Sequence, residues 1–230
     1  MKVVGIIGGF GPETTAEFYL EIISRCRQKT KENRPPILIW NVPLEYKIEE
    51  ELLTKAVGEE RYIPYLIDAA KVLERGGAHF LAMPCNTLHV FIDNIRASVK
   101  IPVLSIVEET AMFLKQKKIA KVGVLSTTAT IRRKLYEGAL ESRHIRQLVP
   151  CVGDQSEIGE IINRIVLGKH ESADRKKLLE VVSKFEALGV ENVVLACTDL
   201  QLLKLDHPGV EIHDTMKILA DATVREILTG

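Results

Sequence analysis

The sequence predicts an α/β protein made of two pseudo-symmetric parallel-sheet α/β domains. Three observations carry this expectation. Short apolar, β-branched runs alternate with longer amphipathic stretches along the whole chain. The runs are continuous rather than alternating in polarity, as strands buried on both faces should be. A helix, a glycine stop, a strand and a cysteine also occur twice in the same order.

Taken in order, the first strand, Val3–Ile7, runs into Gly8-Gly9-Phe10-Gly11-Pro12-Glu13-Thr14, with Pro12 near the first position of a helix. A second strand spans Ile37–Trp40. Ile63, Leu66, Ile67, Ala70 and Leu73 share one helical face, Gly76-Gly77 stops that helix, and the strand Phe80–Met83 leads to Pro84-Cys85-Asn86-Thr87. Val103–Ile106 is the next predicted strand. The second half opens with Val122–Leu125 and Ser126-Thr127-Thr128. Two helices follow, one with Ile158, Ile161, Ile162 and Ile165 on a face, the other with Leu178, Val181, Val182 and Phe185. Val193–Ala196 then leads to Cys197-Thr198-Asp199. His213-Asp214 ends a strand, and Asp214 is a candidate cap for a closing helix, Thr215–Leu228, that returns to the first half. The expected domains are residues 1–105 plus 212–230, and residues 106–211.

The internal echo pairs Leu73–Thr87 with Phe185–Thr198, and Val4-Gly5-Ile6-Ile7 with Val122-Gly123-Val124-Leu125. Duplication of one α/β half accounts for it. The alternative is the chance similarity that any parallel α/β chain has among its strand–loop units.

Composition bounds the function. The 230 residues are 46% hydrophobic and 27% charged, which excludes disordered and disulfide-scaffold classes. Basic and acidic side chains balance at 31 each, so no basic surplus points to nucleic acid. No apolar run reaches the roughly eighteen residues of a membrane span, and no cleavage site follows the apolar start, so a cytoplasmic location is expected. The cysteines Cys26, Cys85, Cys151 and Cys197 have no metal-site spacing and are expected to be reduced.

Ligands of open parallel sheets bind at the carboxyl ends of the strands. Three polar loops fall there. The Gly9 loop fails as a dinucleotide fingerprint, because Thr14 stands where a third glycine belongs and Glu13 would face a pyrophosphate. A loop wrapping a small ligand, with backbone N–H groups free for a carboxylate, fits better than either a nucleotide loop or a plain turn. Cys85 and Cys197 each end a buried strand at the head of a helix-like segment, where the dipole favours thiolate. If the halves face each other, both sulfurs enter one cleft, the expected active site. Cys26 and Cys151 lack such settings and read as structural. Two opposed thiols serve either as a redox pair or as the acid and base that invert a carbon acid, one removing the Cα proton and the other delivering one to the opposite face. Asn86, Thr87, Thr127, Thr128 and Thr198 are of the donor types that a developing enediolate needs. No metal or cofactor is called for. Glu49-Glu50-Glu51, Lys115–Lys118 and Arg132-Arg133-Lys134 read as solvated faces, and His89 as a helix-face residue or a second contact behind the cysteine loop.

These residues resemble the aspartate/glutamate racemase family. Gly-Ile-Ile-Gly-Gly-Phe-Gly-Pro-Glu-Thr-Thr is similar to its first loop, with Phe10 where Met is usual. Met-Pro-Cys-Asn-Thr, with His89 two residues after Thr87, resembles its first cysteine motif. Leu-Ala-Cys-Thr-Asp resembles its second, with Asp199 where the aspartate branch carries Glu. The resemblance extends through Ile101–Ala111 and Leu125–Thr130. It implies a cofactor-independent racemase that interconverts L and D amino acids by two-base proton transfer, commonly as a homodimer. Carried over, Cys85 and Cys197 are the catalytic pair, and Gly9, Asn86, Thr87, Thr127 and Thr198 surround the substrate's α-carboxylate and amino group. Asn41 matches an Asn at the end of the second strand. Phe10, Thr128 and Asp199 fall in the same motifs and join the substrate-binding set.

Aspartate is the family's default substrate, but aspartate-specific members carry Pro-Asp-Arg-Thr shortly after that Asn, its Arg pairing with the distal carboxylate. This chain has Leu44-Glu45-Tyr46-Lys47-Ile48 instead, and Lys47 is only a partial substitute for a bidentate Arg. The Lys such members carry near the end of the second half's first helix is missing from Ile165-Val166-Leu167-Gly168. Both stretches look more like the broad-specificity amino-acid racemase branch. A decarboxylase or cis–trans isomerase of a dicarboxylic acid on the same fold, or a non-catalytic small-ligand sensor, are the alternatives.

Overall fold

In the computed structural model, which describes residues 1–45, 47–48, 51 and 58–229, β1 (Val4–Gly8) lies between β2 (Ile37–Asn41) and β3 (Phe80–Ala82). All three run parallel, with Gly8 opposite Asn41 and Ile6 opposite Ala82. Helices α1 (Pro12–Lys29), α2 (Ile63–Arg75) and α3 (Ile92–Ser98) surround them. Of the predicted α2 face, Leu66, Ala70 and Leu73 are fully packed, while Ile63 and Ile67 are half-buried and Ala69 takes an interior place.

The predicted strand at Val103–Ile106 shrinks to one bridge, Leu81 to Val103. Ser105 ends it. Its hydroxyl accepts the Glu108 N–H at 3.3 Å, the first half of a Ser-x-x-Glu cap, so Ile106 opens α4 (Ile106–Gln116) instead of extending a strand.

The second sheet repeats the plan. Its order is β5-β4-β6-β7, again parallel throughout, with β4 (Lys121–Ser126) central between β5 (Arg146–Leu148) and β6 (Asn192–Ala196), and β7 (Glu211–Asp214) beyond β6. Short helices α5 (Thr128–Arg132) and α6 (Glu137–Glu141) precede β5, and α7 (Val152–Val166) and α8 (Ser172–Ala187) precede β6. All eight predicted apolar residues of α7 and α8 are buried in one cluster. The closing helix α9 is Thr215–Leu228. Its last turn accepts the Lys2 N–H at the Ile227 carbonyl, and its Asp221 pairs with Arg25 of α1 at 2.6 Å.

By packing, the chain divides into one unit of Met1–Glu109 with Met216–Gly230 and a second of Thr110–Thr215. β7 pairs with β6, so it falls with the second unit rather than after a boundary at residue 211. Among the described residues no helix is long and apolar enough to cross a membrane.

The echoed glycines do the same job in both units. A Cβ on Gly5 would stand 2.7 Å from Leu81 Cδ2 and 3.1 Å from Leu73 Cβ. A Cβ on Gly123 would stand 2.7 Å from the Phe185 ring and 2.9 Å from Val193 Cγ2. Leu73 and Phe185 hold equivalent places in the repeated segment. In each unit the central strand gives up its side chain so that the helix before the cysteine strand can close on it.

Candidate active site

In the first unit the carboxyl ends of β1, β2 and β3 bring Gly9, Asn41 and Cys85 to one edge. Gly9 turns at φ +95°, and a Cβ there would meet Val42 N at 2.8 Å and Asn41 Oδ1 at 3.1 Å. Its N–H is not free for a carboxylate, as the loop reading expects. It donates to Thr15 Oγ1 at 3.1 Å, and that hydroxyl donates on to the Gly11 carbonyl at 3.1 Å. Phe10 packs on Tyr62 with ring centroids 5.7 Å apart. Asn41 and Lys47 are exposed, and no described contact joins Lys47 to the other site residues. Its neighbours Tyr46, Glu49 and Glu50 lie outside the described residues.

Cys85 is half-buried three residues past β3, its N–H donated to the Met83 carbonyl at 2.9 Å. Asn86 is buried behind it, and Thr87 opens a 3₁₀ turn, Thr87–Phe91, that runs into α3. His89 sits inside that turn, 1% exposed. Its Nδ1 is 2.6 Å from the Cys85 carbonyl, and its Nε2 accepts the Ile106 N–H at 3.1 Å. Burial lowers its pKa from the ordinary 6.5 to about 4, against the raising influence of the carbonyls around it.

That shift makes stability depend on pH. The unfolded histidine takes up its proton near pH 6.5 and the folded one only near pH 4, so between them the unfolded state binds more protons. The stabilisation is complete above about pH 6.5 and is lost as pH falls toward 4, by about 3 kcal/mol in all. Urea unfolding at a series of pH values should show that loss in the native protein and lack it in His89→Gln.

In the second unit, Ser126 at the end of β4 lies beside Ala196 at the end of β6. Thr127 caps α5, its hydroxyl accepting the Thr130 N–H at 3.2 Å and donating to Thr130 Oγ1 at 3.0 Å. Thr128 is exposed. Cys197 is 5% exposed and immediately follows β6, with its Sγ 3.6 Å from Asp199 Oδ2. Buried Thr198 opens a 3₁₀ turn, Thr198–Leu203. Both cysteines therefore head 3₁₀ turns, whose peptide dipoles are fewer and less aligned than those of a long α-helix.

The other two cysteines differ from each other. Cys26 is buried in α1, and burial pushes its thiol up, as suits a packing residue. Cys151 is exposed and is the N-cap of α7, its Sγ 3.2 Å from Asp154 Oδ2. The expectation that it lacks a helix N-terminus is corrected. Pro150-Cys151-Val152-Gly153 carries no apolar start signal, so the helix begins earlier than the sequence shows.

A family model described as Asp/Glu/Hydantoin racemase matches residues 7–223. The chain belongs to that family. It is an isomerase of the racemase class. Among curated proteins, the broad specificity amino-acid racemase RacX of Bacillus subtilis (strain 168) is 28% identical over 98% of both chains. Among solved structures, an aspartate racemase homologue from Pyrococcus horikoshii OT3 superposes with a TM-score of 0.81 at 29% identity over 99% of each chain. The aspartate racemase of Picrophilus torridus has the same TM-score at 24% identity, covering 99% of this chain and 94% of its own, and shows the shared fold.

Thr15 closes the first-loop motif without its bond being part of the motif, and two residues around this racemase's cysteine loops, Gln155 and Tyr136, escape motif reading. Thr15 locks the Gly9 turn from the first helix. Gln155 of α7 donates Nε2 to the Ser126 carbonyl at 3.0 Å, beside the Thr127 cap. Tyr136 is buried with the Thr110 and Thr215 hydroxyls near its phenol and Cys197 within electrostatic range; burial, mainly, raises its pKa. A single large aromatic in a charged stretch was the only signal for Tyr136.

Proposed function

We propose that this chain interconverts the L and D forms of an amino acid by proton transfer at Cα, with Cys85 and Cys197 as its two acid/base groups. The observation that carries the proposal is the equivalence of the two cysteines. The order β2-β1-β3 of the first unit recurs as β5-β4-β6 in the second, and each unit has one cysteine between the strand beside its central strand and a 3₁₀ turn. Inversion needs a base on one face of Cα and an acid on the other, and a thiolate and a thiol exchange those roles between the two directions. Asp199 stands where it can receive or return the Cys197 proton. Asn86, Thr87, Thr127 and Thr198 supply donors and hydroxyls for the carboxylate and the developing enediolate. Gly9 and Asn41 shape the edge beside Cys85.

For the substrate, the full-length likeness to a broad specificity racemase and the missing bidentate Arg after Asn41 favour a range of amino acids over aspartate alone. The test is a panel of single L-amino acids, including aspartate, glutamate and several neutral side chains, followed by chiral chromatography. D-product from neutral substrates at rates equal to or above that from aspartate is expected. Turnover of aspartate only would overturn the substrate reading.

A further inference from the structure

We infer that His89 is a positioning residue for Cys85, holding the cysteine's peptide to the start of α4; the inference rests on the acid/base role proposed for Cys85. Both ring nitrogens are committed. The Cys85 carbonyl can only accept, so Nδ1 carries the hydrogen, and the Ile106 N–H can only donate, so Nε2 is bare. One neutral tautomer satisfies both bonds, and an imidazolium would break the second. The Cys85–Asn86 peptide is planar, so pinning the Cys85 oxygen also fixes the direction of the Asn86 N–H on the other side of the same plane. The carbonyl and the amide around the sulfur are thereby set by one side chain.

The far end of the clamp is itself held. Ser105 caps α4. Arg96 of α3 donates to both Glu108 carboxylate oxygens at 2.8 Å and to the Val103 carbonyl at 3.1 Å, tying the segment on either side of Ile106. These are the charged groups that face His89, one of each sign.

The second unit has a tie in the equivalent place with different chemistry. Thr215 opens α9 as Ile106 opens α4, and its hydroxyl donates to the Leu195 carbonyl at 2.7 Å, two residues before Cys197. In both units the segment that delivers the cysteine is tied to the start of a later helix, α4 in the one case and α9 in the other. Packing alone does not explain the two His89 bonds, because an apolar side chain would fill the ring's volume and take away the partner of the buried Ile106 N–H.

The test compares His89→Leu, which keeps bulk without polarity, with His89→Gln, which keeps one donor and one acceptor. Its first readout does not depend on turnover: the rate of Cys85 alkylation by iodoacetamide from about pH 6 to about pH 10, followed by peptide mass mapping, with exposed Cys151 as the internal reference. Its second is the split between kcat and KM for racemisation. In His89→Leu the Cys85 alkylation rate is expected to change at least about threefold relative to Cys151. Its kcat should fall roughly ten- to a hundredfold with KM little moved, and His89→Gln should recover part of both. A folded His89→Leu protein with the native Cys85 profile and native kcat overturns the inference. If that variant does not fold, His89→Asn, too short to bridge both groups, takes its place: a shifted Cys85 profile with lowered kcat supports the clamp, and a native profile with native kcat overturns it. A changed Cys85 profile in a protein that racemises no amino acid leaves the clamp standing and removes the proposed function instead.

Discussion

Replacing either Cys85 or Cys197 by serine should lower racemisation by roughly 10³-fold or more, with the fold intact. Serine is nearly isosteric with cysteine, so the half-buried turn at Cys85 and the packed site of Cys197 can both accept it. A serine hydroxyl, however, does not give up its proton near neutral pH, whereas a thiol does. Because each direction of the reaction needs one group as base and the other as acid, either single change should stop both directions. Cys151→Ser is the matched control. It removes an exposed thiol at the α7 cap and should leave turnover within about twofold of native. Chiral chromatography gives the rates, and circular dichroism confirms the fold.

Phe185→Ala should destabilise the second unit by about 3–5 kcal/mol. The ring is 3% exposed, belongs to the cluster formed by α7, α8 and the sheet, and lies over the glycine of the central strand. Gly123→Ala should cost about 1–3 kcal/mol by itself, since the new methyl meets that ring and Val193. Together the two changes should cost less than their sum, because the methyl then enters space the ring has left. Urea unfolding of the two single variants and the double variant measures the coupling. Strict additivity would mean that Phe185 and Gly123 do not share the packing described.

How much of this was legible depended on whether a residue's role is local. Central strands are legible because burial on both faces forces continuous apolar runs, and the α7 and α8 faces because burial on one side forces helical spacing. β5 is not, since Arg146-Gln147-Leu148 is a three-residue edge strand with one partner and no apolar run. Val103–Ile106 misled because its apolar run was read without the Ser105-to-Glu108 cap inside it. At the site, the cysteines announce themselves by motif, whereas the Thr127 hydroxyl, expected as a substrate donor, is engaged as the α5 cap. The Thr15 bond to Gly9 joins a loop to a helix within seven residues and could have been read from a helix-start threonine. The His89 bond to Ile106 and the nearness of Tyr136 to Cys197 join segments far apart in the chain, which no spacing encodes. The expectation that the first loop's N–H groups are free fails at Gly9 for a local reason instead: its partner, Thr15, stands six residues on in the first turn of α1.

The central claim is that Cys85 and Cys197 are the two proton-transfer groups of an amino-acid racemase, and isotope exchange in D₂O tests it most directly. With an L-substrate from the panel and native protein, the D-product formed early in the reaction should carry deuterium at Cα while the remaining L-substrate keeps protium, as two separate acid/base groups require. Both Cys85→Ser and Cys197→Ser should form no labelled D-product. Labelled D-product made at the native rate by both variants, or no α-exchange by the native protein with any amino acid, would contradict it.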